Sequence, residues 1–321
     1  MTDYPKVSVV TITYGHENYI TQTLDGVLVQ DYPGEIEFII ANDNSPDSTD
    51  KVINEYLASK KIPDNFTIKY TKHKNNLGMI PNFFWAAEQV TSNYIAFCEG
   101  DDYWADPLKL QKQVLFLEEN TEFGLVVTDF NILHQSTGKT EESLFKNHPE
   151  RFPIYRGFEE FLLAAGFMAP CTWLLRKNFL PLFQKDYIDG TFPWLLDIYV
   201  ESRVHVLSDT TATYRYLAES ASHTTTFDKR YKLSKGILEI QLDYINKYQL
   251  PENYQLEVLK RHYQLLLPTL LSLNLKDEIK SAKIYIPKNQ RTIKDHILFF
   301  IEGKPLVNQF LRGCFFFKGI K

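Results

Sequence analysis

Three times in the first hundred residues, an apolar run stops at a polar cluster, and this constrains the fold more than any other feature. Val7 to Thr13 (VSVVTIT) runs into Thr13-Tyr14-Gly15. Ile36 to Ala41 (IEFIIA) runs into Asn42-Asp43-Asn44-Ser45, and Tyr94 to Cys98 (YIAFC) into Glu99-Gly100-Asp101-Asp102. A shorter apolar run, Thr67 to Tyr70, lies between the last two, and helical patterns near 17–30, 47–60 and 80–91 fill the intervals. Apolar runs alternating with helices are βαβ units, which build a mostly parallel sheet buried on both faces. The expected class is therefore α/β, with the strands' carboxyl ends along one edge.

That shared edge gives the clusters their meaning. Asn, Asp, Gly and Ser favour turns on their own account, so one cluster could be a plain turn. Three on one edge mark the place where open parallel sheets bind ligands. The third is the most telling. Three carboxylates within four residues repel one another unless a cation sits among them. Mg²⁺ and Mn²⁺ take oxygen ligands, commonly one or two carboxylates together with substrate phosphates. Gly100 would let the backbone come close to a ligand. A solvated acidic turn is the plain alternative.

Other chemistries lack their signatures. The sequence has no G-x-G-x-x-G after the first strand, no G-x-x-x-x-G-K-[ST], no H-E-x-x-H and no G-x-S-x-G. Cys98, Cys171 and Cys314 lie far apart, without zinc-ligand spacing, and their odd number argues against a disulfide framework. A net charge of −5 disfavours a nucleic-acid binder. The start, MTDYPKVSVV, lacks a signal-peptide pattern and no apolar run reaches 18 residues, so the expectation is a cytoplasmic protein without a transmembrane segment.

Two helix starts look marked, by Ser45-Pro46-Asp47 and by Asp106-Pro107 ahead of LKLQKQVLFLEEN, each offering a cap and a proline in the first turn. From 106 to 225 the pattern is irregular, with strand candidates GLVVTDF and ATYRYL and a helix after Pro193. From about 228 it is almost wholly helical, and Pro251 separates two long helices. The expected organisation is a domain over 1–225, with a nucleotide half (1–105) and an acceptor half (106–225), and a helical domain over 226–321. The helical part would serve docking, homo-oligomerisation or capture of an acceptor. The tail FLRGCFFFKGIK, with Phe315 to Phe317 among basic residues, reads as a packed helix end or as a contact with a partner subunit or membrane surface.

The motifs in this order resemble the inverting family-2 glycosyltransferases with a GT-A fold. VSVVTITYGHENYI is similar to that family's opening strand and nucleotide loop. IIANDNSPDST is similar to its Asp-Asp-Gly-Ser-type segment. NNLGMIPNFFWAAEQVTSNYIAFCEGDDYW resembles its stretch from an Asn-x-Gly turn through a DxD-type motif, and TATYRYLAESASH its later strand and diphosphate loop. The resemblance covers roughly residues 5 to 225.

It implies a UDP-sugar donor, Mn²⁺ or Mg²⁺, and a glycan or glycoprotein acceptor. Thr11, Thr13 and Tyr14 would line the nucleoside pocket, and Glu17 would add a contact. Asp43 would accept the N3–H of uracil. Asn76, Gly78 and Asn82 would shape the adjoining wall. Glu99 and Asp101 occupy the D-x-D position: Asp101 would ligate the metal, and Glu99 would face the ribose or a metal-bound water. Asp102 would help orient the donor sugar. His223 would reach the metal or diphosphate, or else be a surface histidine.

Inversion needs a carboxylate to take the acceptor's proton. In direct register that position is Thr191, which cannot serve. Asp189, two residues earlier, Asp197, six later, or neither would carry the role. Trp104, Asp129, Trp173 and Trp194 would form an acceptor cleft, or else belong to the core. A nucleotidyltransferase of similar fold is one competing reading, although YGHENY lacks the basic glycine-rich loop that enzyme needs. A non-catalytic subunit that binds nucleotide sugar or glycan is the other.

Overall fold

β1 (Val7–Thr13), β2 (Ile36–Asn42) and β4 (Tyr94–Phe97) are buried along nearly their whole lengths, as strands covered on both faces must be. They alternate with α1 (Ile20–Leu28), α2 (Thr49–Ser59), β3 (Phe66–Lys72) and α3 (Met79–Glu88). This is a computed structural model, and it describes residues 4–182, 187–217 and 226–302. His223, Cys314 and the Phe315–Phe317 run lie outside the described residues.

The chain continues through β5 (Tyr103–Trp104), α4 (Lys109–Glu119), β6 (Phe123–His134), β7 (Lys139–Glu141), α5 (Leu144–Asn147) and α6 (Phe158–Ala164). Then come β8 (Leu174–Arg176), α7 (Thr191–Glu201) and β9 (Arg203–Tyr216). One mixed sheet results, in the order β3-β2-β1-β4-β8-β6-β9-β5, with β7 paired to β6. The first four positions are parallel. From β1 the chain adds β2 and β3 on one side and later returns to place β4 on the other. The strand order thus reverses between β1 and β4, where an open sheet leaves a crevice at its carboxyl edge.

Both expected helix starts shift inward. α2 begins at Thr49 and α4 at Lys109, so neither proline stands in the first turn. An Asp closes an Asx-type turn instead: Asp47 Oδ1 accepts from the Thr49 amide at 3.0 Å, and Asp106 Oδ1 from the Leu108 amide at 2.8 Å.

The acceptor-cleft reading of the tryptophans is corrected. Trp104, Trp173 and Trp194 are buried. Trp173 and Trp194 meet edge to face at 5.5 Å, and both contact Phe97 at the end of β4. Their large apolar area is what places them in the core. Asp129 is buried too, and its carboxylate accepts the amides of Phe130, Phe145 and Lys146, which holds α5 to β6.

The chain forms two compact units. Among the described residues the second comprises 162–165, 187–189 and 226–302, and the rest form the first. The second unit holds α8 (Phe227–Lys247), α9 (Glu252–Leu273), α10 (Lys276–Tyr285) and α11 (Ile293–Ile301). Leu238, Ile245, Leu259, Leu266 and Leu270 are among its buried apolar side chains. Segment 187–189 joins this unit because Ile188 sits against Gly236 of α8. A Cβ at Gly236 would stand 2.2 Å from Ile188 Cγ2.

Candidate nucleotide-sugar site

The loop after β1 is tied down by the loop after β2. Gly15, at φ +75°, donates its amide to Ser45 Oγ, His16 to Thr49 Oγ1, and Glu17 to Asp47 Oδ2. Glu17 Oε2 in turn accepts the Ser48 amide. Ser45 is fixed by Asn42 Oδ1, which accepts both its amide and its hydroxyl. The polar clusters thus satisfy one another's backbone groups, which lets two loops keep a single shape without apolar filling. Tyr14 is left exposed at the tip.

Asp43 is buried and takes the amides of Leu77 and Gly78 at 2.6 and 2.9 Å. Gly78 has φ +91°, a backbone shape that glycine adopts without strain. Asn76 donates to the Asp43 carbonyl. Asn82 is buried and bridges the Ala41 carbonyl and His73. Asp43, Asn76 and Gly78 are therefore brought together, whereas Asn82 stands behind them as a brace. Thr11 is also behind the wall: it is fully buried and gives its hydroxyl to the Cys98 carbonyl at 2.7 Å.

The acidic loop lies across the strand-order reversal from the β1 loop. Gly100 is pressed against β1, where an added Cβ would meet Thr13 Oγ1 at 2.5 Å, Thr13 Cβ at 2.7 Å and His16 Nδ1 at 2.8 Å. Only glycine allows so close an approach. Beside it Asp101, about 20% exposed, faces His16 Nε2 at 4.0 Å. Burial lowers the His16 pKa, against the raising influence of Asp101 and Asp47. Glu99 Oε2 is buried and makes no hydrogen bond. Burial, and then the charge of Asp101, push the Glu99 carboxyl up to about 7.

Asp102 departs from its expected role. It is turned inward, almost fully buried, with Oδ1 accepting the Arg215 amide at 2.7 Å. Burial and the charges of Asp101 and Glu99 hold its pKa well above the usual carboxylate range. In this structure Asp102 anchors the loop to β9 and does not face outward toward a sugar.

The surrounding brace was not visible from sequence. Arg215 is buried, donates to the Asp101 carbonyl, Gln22 and Gln135, and lies over the rings of Tyr19 and Tyr103. On α1, Thr23 donates to the Asp102 carbonyl. Gly26 lets α1 come within contact of the Trp104 backbone. Gln30 donates to the Asp106 carbonyl and accepts the Leu110 amide. One signal could have exposed this face: Thr23, Gly26 and Gln30, small or polar residues spaced three and four apart through α1 and just past its end.

Thr191, which holds the expected base position, is the first residue of α7; of the two candidates, Asp197 lies within that helix and Asp189 belongs to the segment held on α8. Among the described residues, no three His, Cys, Asp or Glu side chains gather as a complete metal cage.

Residues 8–182 match the family described as "Glycosyl transferase family 2", and the chain belongs to that family. A protein of Mycobacterium tuberculosis is 31% identical over 232 residues, covering 70% of this chain and 62% of its own length. The chain thus spans less than two thirds of that relative. Two solved structures share the fold. S. aureus TarS 1–349 in complex with UDP-GlcNAc aligns with a TM-score of 0.61 at 19% identity, over 96% of this chain and 87% of that one. Mannosyltransferase PcManGT of Pyrobaculum calidifontis, in complex with GDP-Man and Mn2+, aligns with a TM-score of 0.58 at 15% identity, over 98% and 84%. The fold is a mixed α/β sheet of the GT-A type with C-terminal helices, as the sequence resemblance implied.

Proposed function

We propose that this member of glycosyltransferase family 2 moves a hexose or N-acetylhexosamine from a UDP-sugar to a hydroxyl of a glycan or glycoprotein, with inversion and with help from Mn²⁺ or Mg²⁺. The acidic loop carries this reading: a buried carboxylate oxygen lacks a partner, and a carboxyl is pushed up to about 7 by burial and a neighbouring charge. Buried carboxylates are normally satisfied, so this one awaits a donor or a cation. The UDP-GlcNAc bound to TarS and the Mn2+ and GDP-Man bound to PcManGT support a nucleotide-sugar donor and a metal.

The residues fit such an ion. A site with few protein ligands suits a cation whose shell is completed by phosphate oxygens and water. Asp101 would hold it, with Glu99 beside it. Once bound, the ion would stabilise charge on the departing diphosphate as a Lewis acid. His16, fixed between Thr13 and Asp101, would keep the Asp101 carboxylate oriented. Arg215, through the Asp101 carbonyl and the Asp102 carboxylate, would keep the loop from relaxing. Asp43 would accept uracil N3–H on lone pairs left by its two amide partners. Tyr14 would cover the nucleoside, and Glu17 would hold the two loops in register. The acceptor's proton would pass to Asp189 or to Asp197, since Thr191 has no carboxylate.

A UDP-release assay across UDP- and GDP-sugars, with and without Mn²⁺ or Mg²⁺, tests the proposal. The expected outcome is metal-dependent release from one UDP-sugar. A protein that does not bind UDP by calorimetry would sink the assignments of Asp43 and the acidic loop together. Asp189→Asn and Asp197→Asn separate the two bases. A positioned base contributes roughly 10²–10⁴-fold, so the variant that keeps full activity is not the base.

A further inference from the structure

We propose that α11, with the corner that leads into it, seats on an anionic lipid surface. The inference does not depend on which sugar is transferred. α11 reads IKDHILFFI, and its inner face is well defined. Leu298 and Asp295 are buried. Asp295 closes a capping box with Thr292 and accepts from Gln264 of α9. The helix is therefore anchored, and its outward stripe is fixed by that anchoring.

The outward stripe is apolar. Ile293, Ile297 and Phe300, at i, i+4 and i+7, are 82%, 50% and 73% exposed. Ile284 of α10 adds another exposed side chain. Exposed apolar side chains gathered along one side of an anchored helix mark an interaction surface.

The charge beside it selects the partner. Lys288 and Lys294 are exposed and Arg291 half-buried in the stretch that leads into and opens α11, while Asp295, the one carboxylate of Ile293–Ile301, is buried. Arg291 covers the Phe299 ring at 4.0 Å and lines an open hollow of ≈ 500 Å³ with His296, Ile297, Phe299 and Phe300. Apolar side chains bordered by cations suit the boundary between lipid headgroups and acyl chains. The sequence beyond Glu302 has the same composition, with Phe315, Phe316 and Phe317 among Arg312, Lys318 and Lys321. A second copy of the chain suits the surface less well. A two-fold interface sets a patch against itself, which would bring these cations together.

Co-sedimentation of the full chain with vesicles tests this. Binding is expected to vesicles of phosphatidylcholine mixed with phosphatidylglycerol, and not to phosphatidylcholine alone. Each basic residue near such a surface is worth roughly fivefold in partition. Lys288→Glu with Lys294→Glu should therefore weaken binding by at least ~25-fold. Ile293→Asp with Ile297→Asp should abolish it, and salt should reverse it for the wild type. Both positions are exposed, so an unchanged thermal transition would show that the variants fold. Two results would overturn the proposal: no binding to anionic vesicles, or binding that ignores both substitutions. A wild-type dimer by light scattering that Ile293→Asp with Ile297→Asp splits would overturn it in favour of a contact between copies.

Discussion

Two glutamates flank the same central strand and meet opposite fates. Glu37 stands near the amino end of β2, with 1% of its surface exposed. It accepts from Ser8 at 2.6 Å, from the Thr91 amide at 3.0 Å and from its hydroxyl, and it pairs with Lys69 at 2.6 Å. Burial alone would raise its pKa, but Lys69, Ser8 and Thr91 override that and hold the carboxyl down to about 2. Glu99 stands past the carboxyl end of β4 with an oxygen unpartnered, and its carboxyl is pushed up to about 7. Both ends of the sheet bury a carboxylate, and only the amino end supplies its counter-charge. Of these two glutamates, the one at the amino end is balanced by a lysine of the protein itself, and the one past the carboxyl end is not.

The largest effect that could break this contrast is at Asp101. If the carboxyl end is a site, Asp101→Ala should lower metal-dependent transfer by on the order of 100-fold or more, because Lewis-acid help is worth several kcal/mol and each ~1.4 kcal/mol is tenfold in rate. Its thermal transition should scarcely move. Steady-state kinetics at saturating Mn²⁺ decide it, and an unchanged kcat would make the acidic loop structural.

Glu37→Gln tests the other end. Two to three kcal/mol of stability is the rough expectation, discounted because Lys69 is 40% exposed and its charge is screened. The sign follows from a folded pKa below the unfolded one. The contribution is full above about 4.5 and disappears as pH falls toward about 2. Urea melts at pH 7 and pH 3 should show the variant's deficit shrinking in acid. A deficit that is the same at both pH values would mean that packing, and not charge, is lost.

Glu99→Gln should move in the opposite direction. Its folded pKa lies above the unfolded one, so the metal-free wild type loses stability as pH rises from about 4.5 through about 7. Without metal the Gln variant should be more stable than the wild type by roughly 2 kcal/mol at pH 8 and nearly equal to it at pH 4. Adding Mn²⁺ should stabilise the wild type more than the variant. Destabilisation by Glu99→Gln at pH 8 would show that the oxygen has a partner in solution.

Much of the parallel half was legible because its signals are local. Apolar runs ending in Asn, Asp and Gly announce buried strands and their carboxyl edge without any knowledge of what lies across the chain. The acidic loop was legible for the same reason. Its brace was not, since Arg215 is 114 positions from the Asp101 carbonyl that it holds. Nothing in the run TATYRYL distinguishes that arginine from a surface one. Asp102 was misjudged for a related reason. Adjacent carboxylates look equivalent in sequence, and the turn at Gly100 sends one outward and the next under β9. The tryptophans were open to two readings, because sequence shows their size and polarity but not which strand end they cover.

Gly100→Ala probes the smallest effect and the finest point of the contrast, whether the acidic loop is pressed on β1 for the sake of geometry. The new Cβ would meet Thr13 Oγ1 and Cβ and His16 Nδ1, and Thr13 is buried and cannot swing aside. Overpacking of this kind costs about 1–2 kcal/mol. The loop should relieve it by lifting away from β1, taking Asp101 from His16. Metal affinity should then fall along with stability. Thr13→Gly in the same background removes two of the three contacts, so a double-mutant cycle should show coupling of roughly 1 kcal/mol. If the two substitutions simply add, the loop tolerates the extra carbon, and the closeness of Gly100 to β1 is incidental to how Asp101 is held.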